Sequence, residues 1–256
     1  MNKIKMRTVK KVYILPNLLT TANMFCGFQA VISSIHGHYI NSAWLIFVAM
    51  VFDLLDGRIA RLTRATSKFG VEYDSFSDLV SFGITPALVI YLWVLAPLDR
   101  AGWLAAFLYM ACAALRLARF NIMVDVVSKK YFQGIPSPIA AAAIATLIVF
   151  WNYYRPGEVP PAFVVFGVVL ALGSLMISTI PYPSFKEFRV KRENAFGTLS
   201  VTVLGLILIA VRPEVGLFLL VYSYITIGFF AGVIKILFGK PETTHVSTEE
   251  KDGKQA

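Results

Sequence analysis

The sequence predicts an all-α polytopic membrane protein, and three observations carry that expectation. Of the 256 residues, 57% are hydrophobic, and the mean hydropathy is +0.67, more apolar than soluble domains usually are. Apolar runs long enough to cross a bilayer core, about 20 residues each, recur from end to end. The basic residues gather in alternate connections between those runs, as the positive-inside rule requires.

Taken in order, eight transmembrane helices are expected near residues 15–35, 42–62, 72–95, 102–121, 137–154, 162–180, 197–211 and 215–238. Residues 1–13 form a basic cytoplasmic segment, 14–238 the transmembrane domain, and 239–256 a polar, charged tail expected to be disordered. The first run follows Lys3, Lys5, Arg7, Lys10 and Lys11, but it is studded with Asn17, Thr20, Thr21, Asn23 and Gln29. It shows no small-residue cleavage site, so it reads as a retained helix rather than a secretory signal.

With the N-terminus inside, only Arg100, Arg155 and Arg212 of the 24 lysines and arginines fall on the outer side. That asymmetry supports eight crossings with both ends cytoplasmic. Six crossings would share it; seven would not. The net charge of +9 then meets anionic headgroups, and no nucleic-acid partner is expected. Cys26 and Cys112 sit in separate apolar runs, so neither a disulfide framework nor a zinc site is expected. His36 and His38 have no third ligand nearby.

The chemistry is expected at four acids. Asp53 and Asp56 lie inside the second apolar run, where charge is expensive and usually functional. Gly70, Asp74 and Asp78 follow at four-residue spacing in the third. At about 100° per residue, Asp53, Asp56, Gly57 and Ala60 share one helix face, as do Gly70, Asp74 and Asp78. Two antiparallel helices then bring four carboxylates into one space, which low dielectric forbids without cations. Hard oxygen ligands select Mg²⁺, Mn²⁺ or Ca²⁺. Four carboxylates suit two such ions clamping the oxygens of a transferring phosphoryl group. Gly57 and Ala60 leave room for a ligand, or pack helices through small residues. Arg61 and Lys68 bracket the loop and suit phosphate charge. The site should open to the cytoplasm at headgroup depth.

Residues 53–78 match the pattern D-x-x-D-G-x-x-A-R-(x)8-G-x-x-x-D-x-x-x-D at every specified position. The chain thereby resembles the CDP-alcohol phosphatidyltransferases. That resemblance implies a six-helix catalytic core, a homodimer, a dinuclear metal site, and transfer of a phosphatidyl group from a CDP-linked lipid to an alcohol with loss of CMP. It implies that Asp53, Asp56, Asp74 and Asp78 bind metal and that Asp78 is also the base. Gly57, Arg61 and Ser67 would contact the nucleotide, with Ala60 and Gly70 on the same faces. The stretch Pro16-Asn17-Leu-Leu-Thr20 looks like the family's first-helix approach to that pocket.

Three further stretches, Ser77–Pro86, Arg116–Asn121 and Phe132–Pro138, resemble the membrane-embedded phosphatidylserine synthases. They imply CDP-diacylglycerol and L-serine as substrates and a prokaryotic inner-membrane location. Arg116 and Arg119 suit the serine carboxylate through an arginine fork. Asn121, Gln133 and Ser137 suit its ammonium. Glycerol 3-phosphate and inositol remain alternative acceptors, the former needing an extra basic cluster. A transporter would also bury acids, but would show a repeat or paired broken helices, and no clear repeat is found.

Overall fold

The protein, as a computed structural model, is described over residues 2–63, 67–123, 131–183 and 195–238. A helix lies on each of the eight expected segments. α1 (Asn2–Ile35) turns at Gly37, whose φ of 77° suits glycine, into α2 (Tyr39–Leu62). α3 (Lys68–Asp78) and α4 (Thr85–Ile90) form one broken rod that reverses at Asp99 into α5 (Asp99–Met123). α6 (Ser137–Tyr154), α7 (Ala162–Ile177), α8 (Ala195–Val211) and α9 (Pro213–Phe238) complete the bundle. α1 begins at Asn2, so the helix runs back through the expected basic segment. The expected tail, 239–256, lies outside the described residues.

Length and apolar composition qualify four described stretches to cross a bilayer: Ile14–Ile35, Lys68–Ile122, Ser137–Tyr154 and Pro213–Phe238. α7 has 16 residues, about 24 Å at ~1.5 Å per residue, shorter than the expected 162–180. Large side chains such as Leu204, Phe163 and Phe230 face outward, as lipid contact requires. The interior is lined by small residues. Ala140 to Ala143 and Ala145 of α6 are buried, which lets backbones approach closely where apolar burial alone gives helices no reason to associate.

Two features depart from a set of plain helices. The third expected helix, 72–95, is interrupted by wide π turns at Leu79–Ile84 and Tyr91–Leu95 and ends in a 3₁₀ turn at Ala96–Leu98. Pro86 has no N–H to offer Phe82 and its ring crowds that carbonyl. The Phe82 carbonyl instead accepts from the Tyr109 hydroxyl at 3.3 Å. The second departure is a short antiparallel ribbon. β1 (Tyr131–Gln133) pairs with β2 (Pro181–Pro183) in the register Phe132 to Tyr182. It joins the α5–α6 and α7–α8 connections, so the fold is helical with a small clasp at one end.

α1 is the organising element. It packs along α2 on one side and against α3 and the following π turn on another. α2 and α3 have few direct contacts with each other. The aspartate-bearing helices therefore approach each other through their acidic side chains more than through close backbone contact, and both lean on α1.

Candidate active site

Each acidic side chain is placed by its helix and held by α1. Asp53 and Asp56 lie one turn apart on α2, and Asp74 and Asp78 one turn apart on α3. Asp53, Asp56 and Asp74 each offer a carboxylate oxygen within 4.8 Å of the others. Asp78, one turn beyond Asp74, is close enough to Asp53, Asp56 and Asp74 to interact with their charges. The Thr20 hydroxyl donates to Asp56 Oδ2 at 2.8 Å. Asn23 Nδ2 approaches Asp78 Oδ1 at 3.5 Å.

The rotation of α3 is set by a ladder of hydroxyls at four-residue spacing. Ser77 Oγ donates to the Thr20 carbonyl at 2.9 Å, Ser81 Oγ to Asn23 at 3.0 Å, and Thr85 Oγ1 to Gly27 at 3.0 Å. All three side chains are fully buried. Gly27 permits the approach: a Cβ there would meet Ser81 Oγ at 2.7 Å and Ser81 Cα at 2.9 Å.

Among the described residues, the ion pairs within 4 Å are Arg155–Glu158 and Arg212–Glu214, so neither involves the four aspartates. Arg116 is the cation whose charge reaches Asp53 and Asp78. One guanidinium does not balance four carboxylates in an apolar bundle. Asp74 Oδ1 is buried without a hydrogen-bond partner. The donor set is all-oxygen, anionic and convergent, so these residues fit a divalent cation of the hard class.

Around this cluster, the expected nucleotide residues divide into two groups. Gly57 faces open space, for a Cβ there would meet only Arg61 Nη2, at 3.9 Å. Helix packing therefore does not require that glycine, and the room it leaves is available to a ligand. Ala60 lies half-buried on the same face and Arg61 is exposed. Asn17, Ser67 and Gly70 meet at the start of α3. Ser67 Oγ accepts from the Gly70 N–H at 2.9 Å as the helix cap, and a Cβ on Gly70 would come within 3.6 Å of Asn17 Oδ1. The Thr21 and Tyr73 hydroxyls share a hydrogen bond of 2.9 Å.

The expected acceptor residues are not brought together. Arg116 Nη1 donates to Ser137 Oγ at 2.8 Å and faces the aspartates. Arg119 is differently employed: its guanidinium donates to the carbonyls of Gln133, Met176, Ile177 and Ser178. It caps the end of α7 and ties it to the β clasp. Gln133 is exposed beside that clasp. Asn121 Nδ2 donates to Ser75 Oγ at 2.9 Å in a groove of about 180 Å³ with Glu72, Phe76 and Leu79. Glu72 and Phe76 lie on the face of α3 turned away from Asp74 and Asp78, while Ser75 lies one turn before Asp78. Of the five acceptor residues expected, only Arg116 and Ser137 stand at the cluster. Asn23, Ser77, Ser81 and Thr85 were not singled out by the sequence; the 77–81–85 hydroxyl period was the available signal.

A bundle of this kind, with paired acids on two helices leaning on a third, defines a class. The chain belongs to the CDP-alcohol phosphatidyltransferase family, whose model matches residues 13–180. It is an enzyme of that phosphotransferase family. The relatives include a CDP-diacylglycerol–serine O-phosphatidyltransferase from Helicobacter pylori, 34% identical over 235 residues that cover 91% of this chain and 98% of the relative. A protein of the same name from Bacillus subtilis is 37% identical over 174 residues, 68% of this chain and 92% of the relative. One from Methanocaldococcus jannaschii is 33% identical over 180 residues, 70% of this chain and 79% of the relative.

Proposed function

We propose that this protein transfers the phosphatidyl group of CDP-diacylglycerol to the hydroxyl of L-serine. The observation that supports it most is the convergence of Asp53, Asp56, Asp74 and Asp78, with the Arg116 guanidinium acting on Asp53 and Asp78. The relatives' names support serine as the acceptor.

In this reading, the serine oxygen forms a bond to the phosphorus that bears diacylglycerol, and the bond from that phosphorus to the CMP oxygen breaks. The hydroxyl proton passes to Asp78, and CMP leaves as the anion. Asp53, Asp56, Asp74 and Asp78 hold two divalent cations, Mg²⁺ or Mn²⁺. Bound there, they supply positive charge to the carboxylates and to the pyrophosphate oxygens. Gly57 and Ala60 admit the nucleotide against the α2 backbone. Asn17, Thr20, Arg61, Ser67 and Gly70 line its approach.

Arg116 pairs with the serine carboxylate, oriented by Ser137. Arg119 and Gln133 act at a distance by fixing the clasp that carries the Ser137 loop. A glycerol 3-phosphate acceptor would need a second cation beside Arg116, and the Arg119 donors are committed to carbonyls. Eight crossings, both ends and the site at the cytoplasmic face of the inner membrane, and a homodimer complete the proposal.

The test is an acceptor panel with purified protein, CDP-diacylglycerol and Mn²⁺, following CMP release. Serine should be used in preference to glycerol 3-phosphate and inositol. Preference for either alternative would leave the family reading standing and remove the serine assignment.

A further inference from the structure

We propose that Asn23 of α1 binds the ammonium group of the acceptor, and so makes the site selective for a hydroxylated α-amino acid. This rests on the serine reading above and names the contact that reading lacks.

The starting observation is an unpaired atom. Among the described residues, four buried side-chain polar atoms have no hydrogen-bond partner: Asn23 Oδ1, Asp74 Oδ1, Trp151 Nε1 and Glu214 Oε1. Two of these belong to the aspartate site. Asp74 is an anionic ligand in a cluster that calls for a cation. Asn23 Oδ1 is a neutral acceptor, and a buried acceptor left unpaired is costly. Its survival in a fully buried side chain points to a donor that arrives with the substrate.

The placement selects that donor. Asn23 Nδ2 faces Asp78 Oδ1 at 3.5 Å, so the carboxamide sits beside the proposed base with its oxygen unpaired. The opposite amide orientation would set its oxygen against a carboxylate oxygen. The Asn23 backbone is held in place by Ser81 Oγ, and its side chain is fully enclosed. In serine, the ammonium is on the carbon adjacent to the one that carries the hydroxyl. When the hydroxyl lies at Asp78, the ammonium falls among Asp78's neighbours. Arg116 repels it and attracts the carboxylate; Asn23 offers it an oxygen.

Other polar residues expected to take the ammonium are placed otherwise. Asn121 donates to Ser75, Gln133 is exposed, and Ser137 accepts from Arg116. Asp78, Arg116 and Asn23 together give three points of recognition around the chiral carbon: hydroxyl, carboxylate and ammonium.

The experiment compares serine with 3-hydroxypropionate, which keeps the hydroxyl and carboxylate and lacks the ammonium. For wild-type protein, kcat/KM should favour serine by at least about tenfold, the scale of one charge-assisted hydrogen bond. Asn23→Leu, similar in size and without an acceptor, should lose most of that preference, read as the ratio of the two kcat/KM values within the variant, so that any loss common to both acceptors through the missing Asp78 contact cancels. Asn23→Ala carries the same comparison if the leucine variant fails to assemble. A variant that keeps the wild-type preference overturns the inference. Wild-type protein that does not use serine would instead overturn the acceptor reading itself, and is recognised before any variant is made.

Discussion

Replacing Arg116 by lysine tests the acceptor site at its most exposed point of argument. Arg116 comes from α5, with its guanidinium against Ser137 Oγ at 2.8 Å and 5.8 Å from the centre of the Phe120 ring. Those contacts hold a planar fork in one orientation, and a fork meets a carboxylate through two parallel bonds. Lysine keeps the charge and loses the fork. Losing one of two charge-assisted bonds costs roughly 1.5 kcal/mol, or about tenfold in KM for serine. Arg116→Gln removes the charge as well, about 3 kcal/mol and roughly a hundredfold. Arg116 also repels any cation held by Asp53 and Asp78, so Arg116→Gln should reach half-activation at a lower Mn²⁺ concentration. The assay is incorporation of labelled serine into lipid in mixed micelles, with each substrate varied in turn. A lysine variant whose serine KM stays within twofold of wild type refutes the reasoning, as does a parallel rise in the KM for CDP-diacylglycerol.

Three further outcomes follow from the same geometry. EDTA should abolish turnover and Mn²⁺ or Mg²⁺ should restore it, because one guanidinium does not balance four carboxylates; full CMP release after exhaustive chelation would remove the metal reading. Gly57→Leu should assemble normally, since the space beside Gly57 is open to within 3.9 Å of Arg61, yet should lose CDP-diacylglycerol binding; retained nucleotide affinity in titration calorimetry would show that the opening is not the nucleotide's. Gly27→Leu should fail differently, by forcing α1 off Ser81 at a cost of about 1–3 kcal/mol of overpacking plus about 1 kcal/mol for each hydroxyl bond broken. A thermal midpoint for Gly27→Leu equal to that of wild type would contradict the close approach.

The aspartates were legible because a charge inside an apolar helix is rare enough to stand out, and helical period alone aligns Asp53 with Asp56 and Asp74 with Asp78. The helices were legible for the same reason: apolar runs announce themselves by length. Other features depend on partners distant in sequence. Arg119 looked like Arg116, three residues earlier on the same helix. Only the fold shows that Arg119 meets the end of α7 while Arg116 bonds Ser137 and lies within reach of the acids' charge. Asn23 was one of several polar residues on the first helix, and nothing local distinguishes it from Thr21 or Gln29. The π turns had a local trace in Pro86, which signals a disturbed helix without saying how the freed carbonyl is satisfied. The three-residue strands are too short to show a period.

The hydroxyl ladder explains how four mutually repelling acids come to share a site. Helix α1 already uses each carbonyl once within its own helix, and the second lone pair on the carbonyls of Thr20, Asn23 and Gly27 receives Ser77, Ser81 and Thr85. These bonds carry direction that apolar packing lacks. Slipping α3 by one residue would rotate its side chains by about 100°, carrying Asp74 and Asp78 away from Asp53 while exchanging three hydroxyls for apolar neighbours. Ser77 is the residue next to Asp78, so pinning the one fixes the azimuth of the other. Asp56 is fixed from the same strip of α1, through Thr20. α1 contributes no acid, yet it determines where the acids on both other helices point. α2 and α3 are set relative to one another because each is fastened to α1.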